Sequence, residues 1–145
     1  MKSVCLVIIV LFFLVLAVRG YFTENEAVEK RRTAYLFAMH LKREVTLFKS
    51  PMSEIIASFK SEEFDGVSPE ALPEKLESLS SGCSAGKLVG EIMSATSEEA
   101  TERCERLCAS LSEALEKEKE KSKSRKAAKV AFPLFLCAVI LIVFI

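Results

Sequence analysis

The feature that most constrains this chain is a pair of apolar runs near its ends: VCLVIIVLFFLVLAV over residues 4–18 and VAFPLFLCAVILIVFI over residues 130–145. The first is preceded by Lys2 and followed by Arg19, Gly20 and Tyr21. A positive start, an apolar stretch of this length and small or medium residues at Val18 and Gly20 are the layout of a secretory signal peptide cut before Tyr21. As a helix the run spans roughly 23 Å, short of the ~30 Å hydrocarbon core of a bilayer. An uncleaved membrane anchor is the alternative.

The second run has no charge after it. A stop-transfer helix is usually longer and followed by Lys or Arg, whereas the discarded part of a GPI-attachment signal is a bare apolar tail behind small residues and a polar spacer. Ser122 and Ser124 are the candidate lipid-attachment residues, with a short spacer; the Ser110–Ala114 region leaves a longer one but cuts into a helix. Lys121, Lys123, Arg125, Lys126 and Lys129 argue the other way, because a basic flank stays in the cytosol. Three topologies follow. A GPI-anchored surface protein comes first, then a retained transmembrane tail with a luminal or extracellular domain. In the third the body faces the cytosol, and either both runs stay in the membrane as a hairpin or the tail is inserted after synthesis.

The expected organisation is a signal peptide over 1–20, a helical domain over 21–116, a charged stalk over 117–129 and the tail over 130–145. The whole chain is neutral, with 20 basic and 20 acidic residues. Six basic residues (Lys2, Arg19, Lys123, Arg125, Lys126 and Lys129) lie outside residues 21–121, so that segment keeps 14 against all 20 acidic ones, a net charge of −6. Nucleic acid is not the expected partner of such a body, since phosphate binding needs clustered Lys and Arg.

Between the runs the pattern is helical. Ala34, Phe37, Leu41, Val45 and Phe48 recur at three- and four-residue steps, the stripe of an amphipathic helix. Ser50-Pro51 predicts the start of a second helix carrying Ile55, Ile56 and Phe59, and Asp65-Gly66 its end. Leu72, Leu76 and Leu79 mark a short helix after Pro69, and Leu88 to Met93 a turn or two more. Thr96-Ser97-Glu98-Glu99 reads as a capping box opening the last helix, whose stripe runs from Ala100 through Cys104, Leu107, Cys108 and Leu111 to Leu115. Past it, EKEKEKSKSRK reads as a solvated stalk with no core-facing residues. No alternating strand pattern occurs. The fold class is all-α: a small bundle of three longer helices and one or two short ones between two apolar segments.

Of five cysteines, Cys5 and Cys137 lie in the apolar runs. Cys83, Cys104 and Cys108 are the disulfide candidates: in a secreted domain Cys83 would pair with Cys104 or Cys108, leaving the third as a buried thiol or a dimer link. The other reading of Cys104 and Cys108 is core filling. Three cysteines and one histidine do not supply the four ligands of a zinc site. His40 is one turn from Glu44, which suggests a surface ion pair.

The stretch SGCSAGKL, residues 81–88, matches both G-x-S-x-G and, nearly, a phosphate-binding loop. A hydrolase elbow needs a strand before Ser84, and a nucleotide loop needs a hydroxyl where Leu88 stands. A Gly-Ser connector is the expected role, and neither an enzyme nor a cofactor is expected.

A signal-like start, a compact helical body, a charged stalk and a terminal apolar tail together resemble small surface antigens of protozoan parasites, such as piroplasm merozoite surface antigens. The resemblance is one of layout and implies a GPI-anchored coat protein at the cell surface, meeting host cells or antibodies. The competing expectation is a membrane-integral helical adaptor that keeps both runs and works through Lys121 to Lys129 on anionic lipid.

Overall fold

A computed structural model of the chain describes residues 2–144. Met1 and Ile145, the outermost residues of the expected leader and tail, lie outside the described residues. The helices are α1 (Lys2–Arg43), α2 (Met52–Ser58), α3 (Leu72–Leu79), α4 (Ala85–Met93) and α5 (Ser97–Phe144). A π-helical turn, Glu44–Phe48, extends α1, and a 3₁₀ turn, Glu62–Phe64, follows α2. No described residue lies in a strand, so the all-α class holds.

Two long helices and three short ones take the place of the three long and one or two short ones expected. The N-terminal apolar run and the first body helix are one element, α1, and the last body helix, the charged stretch and the C-terminal apolar run are another, α5. The reasons are local. Gly20 alone costs a helix about 1 kcal/mol, too little to end it. The Thr23 hydroxyl donates back to the carbonyls of Arg19 at 2.8 Å and Gly20 at 3.2 Å, inside the same helix. In α5, Glu and Lys are strong helix formers, and Glu113 and Lys117 add an i,i+4 pair at 2.5 Å.

The chain divides into two compact units: Glu29–Lys117, and the described residues up to Val28 together with those from Glu118 on. The first unit contains the hydrophobic core. Ala34, Phe37 and Leu41 of α1 are fully buried, as the spacing predicts, and so is Ala38; with them lie Ile55 and Ile56 of α2, the three leucines of α3, Val89 and Ile92 of α4, and Cys104, Leu107 and Leu111 of α5. Three aromatic rings tie its parts together. Phe37 stacks on Phe64 with centroids 4.4 Å apart, and Phe59 meets both edge-on at 5.3 Å. Such contacts add to plain area burial.

The predicted stripe of α1 ends sooner than expected. Phe48 is 59% exposed and Leu47 67%, while Val45 is only partly buried. The π turn is the cause: its wider i→i+5 spacing advances each residue by a smaller angle, so Phe48 leaves the face that holds Leu41. Lys49, at φ 50°, and Pro51 then end the helix. Ser50 does not cap α2; its hydroxyl donates to Glu44 at 3.3 Å, and the carbonyl of Pro51 accepts from Glu54 and Ile55. His40 pairs with Ser58 rather than Glu44, its Nε2 lying 2.8 Å from the Ser58 hydroxyl and its ring against Phe59.

SGCSAGKL is a tight connection between α3 and α4. Gly82 (φ 94°) and Ser84 (φ 51°) turn the chain in the left-handed region. Gly86 sits against α3, where an added Cβ would meet the Pro73 carbonyl oxygen at 2.5 Å. Its N–H donates to the Glu77 carboxylate at 3.0 Å, so a carboxylate already fills the helix start where a phosphate would bind. At the other end of α4, the carbonyl of Glu91 accepts from Arg103 of α5 at 2.7 Å. Lys42 and Glu105 join α1 to α5 at 3.1 Å.

The two glycines of α4 therefore differ. Gly86→Ala is expected to cost about 2–3 kcal/mol through overpacking against backbone. Gly90→Ala, where a Cβ meets nothing within 4 Å, is expected to stabilise by up to about 1 kcal/mol. Urea unfolding of both variants, followed by far-ultraviolet dichroism, checks the pair; equal effects would remove the close-packing account.

Candidate functional site

The unit formed by the ends of the chain brings α1 and α5 side by side. The residues that do this are polar and lie just beyond the apolar runs. Glu24 is 6% exposed, and its carboxylate lies 2.5 Å from Lys129 Nζ and 3.8 Å from Arg125. Arg125 also reaches Glu118, itself 7% exposed, at 3.5 Å. Lys126 donates to the Asn25 side-chain oxygen and lies over the Tyr21 ring, 4.9 Å from its centroid. Partner numbers on α5 fall as those on α1 rise, from Gly20 with Lys129 to Asn25 with Lys126, which is an antiparallel register.

Physical necessity explains the cluster. A carboxylate taken out of water is tolerated only beside cations and donors. Glu24 falls on the face of α1 that includes Ala17 and Gly20, at four- and three-residue steps, so it enters the pairing face and draws Lys129 and Arg125 onto it. Gly20 permits the close approach, since a Cβ there would lie 3.2 Å from that of Lys129. In α5 the corresponding buried positions are Glu118, Ser122 and Pro133. This corrects the reading of residues 117–129 as a solvated stalk with no inward-facing residues. Charge composition concealed it, because buried Glu residues matched by Lys129 and Arg125 look in sequence like any mixed-charge helix.

On the apolar side of this charged cluster, the neck between α1 and α5, the two helices present bare hydrocarbon. Val4, Ile8, Phe12 and Val15 of α1 and Phe132, Phe135 and Ile142 of α5 are each more than half exposed. Both helices contain a stretch long and apolar enough to cross a membrane, by length and composition. Pro133 stands inside α5 and has no N–H for the carbonyl of Lys129, four residues earlier. That carbonyl belongs at the charged level, where water can take its place.

The residues singled out in the sequence are not assembled into one site. Ser122 is 2% exposed, its hydroxyl without a hydrogen-bond partner, and lies mid-helix with the exposed Ser124. Cys83, Cys104 and Cys108 are free thiols, as are Cys5 and Cys137, so the bridge expected from Cys83 is not formed. The carbonyl of Cys83 accepts from Ser110 at 3.4 Å, beside the turn that follows Cys108. Cys104 and Cys108 are core residues. Burial pushes the Cys104 thiol up to about 11, and raises Cys83 and Cys108 as well. None is an activated nucleophile, which requires a lowered pKa. A cleft of about 640 Å³ between α2 and Val67 is lined by Phe59, Lys60, Glu62 and Asp65 among others. Its lining includes no histidine or cysteine.

Comparison of the chain with protein-family models, with curated proteins and with solved structures yields no match.

Two outcomes are expected. In a double-mutant cycle with Glu24→Gln and Lys129→Gln, unfolding in micelles is expected to give a coupling energy of about 1–3 kcal/mol; additive effects would mean the pair does not join the helices. For Cys104, a thiol held above its ordinary 9.0 favours the folded state below that pH and ceases to do so as pH rises through about 11. Between pH 8 and pH 11 the intact protein should lose about 1–2 kcal/mol more stability than Cys104→Ala does. Parallel losses in the two proteins would show that the thiol is not desolvated.

Proposed function

We propose that this chain is a non-catalytic membrane protein that keeps both apolar segments as an antiparallel helical hairpin and carries the helical body, Glu29–Lys117, on the cytosolic side as a protein-binding module. The observation that carries the reading is the neck, in which Glu24 is buried between Lys129 and Arg125 while Asn25 meets Lys126. A leader on its way to removal needs no such partner, nor does a tail about to be exchanged for a lipid.

The side of the membrane follows from charge. Arg19, Lys121, Lys123, Arg125, Lys126 and Lys129 flank the body side of the apolar runs, against Lys2 on the far side, and Lys and Arg are retained in the cytosol. Short-range pairing with Glu24 leaves this count unchanged, because the rule depends on basic residues rather than net charge. On this reading Lys121 and Lys123, both exposed, are the residues that meet anionic headgroups. The body is a small helical bundle whose surface, acidic overall, selects basic or amphipathic protein partners.

The surface-antigen reading differs at one decisive point, the fate of the two ends. It draws on the exposed Ser124 ahead of the tail and on the overall layout. Intact mass of the protein purified from membranes, with carbonate extraction, tests both. The hairpin predicts the uncut chain, resistant to carbonate and to a GPI-cleaving phospholipase, with the body digested by protease from the cytosolic face. Loss of residues 1–20 and of the tail, with release by the phospholipase, would establish the anchored surface protein instead.

A further inference from the structure

The apolar run of α1 that leads into the neck is short. Between Lys2 and Arg19 lie 16 uncharged residues, which as helix cover ~24 Å. Hydrocarbon cores average about 30 Å, with the endoplasmic reticulum near 27 Å and the plasma membrane near 32 Å. A span that is too short cannot be corrected by tilting, which serves only spans that are too long.

A lone short helix has a second remedy, sliding so that flanking residues enter the bilayer. At the Arg19 end that remedy is closed, which leaves only the snorkelling of Lys2 at the other end. Gly20 lies against Lys129, and Glu24 is bonded to Lys129 and Arg125, so drawing Arg19 inward would carry the whole cluster with it. Asn25 and Lys126 would follow. Charged groups are the costliest to move into hydrocarbon, and here several would move together.

Resting on the hairpin reading, we infer that this protein is selective for bilayer thickness: its ligand is a thin membrane of short-chain lipid, with a hydrocarbon core near ~24 Å, and the charged neck is what enforces the choice. Thin membranes retain it and sterol-thickened ones exclude it. The exposed side chains from Val4 to Val15 and from Phe132 to Val143 are the surface that meets the acyl chains.

The test is reconstitution of the full chain into phosphatidylcholine vesicles with myristoleoyl, palmitoleoyl, oleoyl, eicosenoyl or erucoyl chains, reading the carbonate-resistant fraction after flotation. Resistant protein is expected to be highest in the two shortest lipids and about ten-fold lower in erucoyl vesicles. A variant with four leucines inserted after Val10 and four after Val139 lengthens each span by ~6 Å, and its optimum should move to oleoyl or longer chains. Equal insertion in all lipids, a preference for long chains, or an optimum the leucine variant does not move would each overturn thickness selection while leaving the hairpin in place. Absence of carbonate-resistant protein in every lipid would instead overturn the hairpin reading, and this inference with it.

Discussion

One buried carboxylate organises the ends of this chain. Glu24 lies within a largely apolar face, 6% exposed, and there it needs cations. Lys129 and Arg125 supply them, and once they do, the two apolar runs are committed to one antiparallel register. Hydrophobicity could not have made that choice. Two apolar helices in lipid have no strong preference for each other over acyl chains, so close packing and polar contacts decide how they pair. Gly20 and Ala17 supply the first and Glu24 the second. Ser122, buried with its hydroxyl unpartnered, shows that the pairing face tolerates a small polar group where the helices meet.

In the body the corresponding constraint is steric. Phe37, Phe59 and Phe64 close on one another from three separate segments, and Gly86 lets α4 lie directly on α3. This packing also gives SGCSAGKL its role. Glu77 takes the free N–H of Gly86, and His40, the chain's one histidine, is engaged with Ser58. The Gly86 N–H and the His40 ring are thus each engaged within the fold. The same holds for Cys104 and Cys108, whose burial makes them fillers of the core and poor nucleophiles.

Much of this was readable beforehand where one rule dominates. Helical spacing identified Phe37, Leu41, Leu72, Leu76, Cys104 and Leu107 as core residues, because burial of an amphipathic stripe leaves a periodic trace. The two apolar runs were equally plain. Three features were not. Phe48 followed the spacing and is exposed, since a π turn changes the angle without changing the residues. His40 has Ser58 as its partner, a residue 18 positions away, where the helical rule pointed to Glu44. Glu24 and the basic residues of α5 are about a hundred positions apart, and local pattern contains nothing that joins them.

The division is a physical one. By itself the sequence determined class, core stripe and the two apolar helices long enough to cross a membrane, because propensity and hydrophobic period act over neighbouring residues. Only the tertiary structure decided which residue interrupts a stripe, that Cys83 lies beside Ser110, and that the charged stretch before the tail is a docking face. Those depend on long-range contacts, where the energy of a polar group is set by whatever the fold brings beside it.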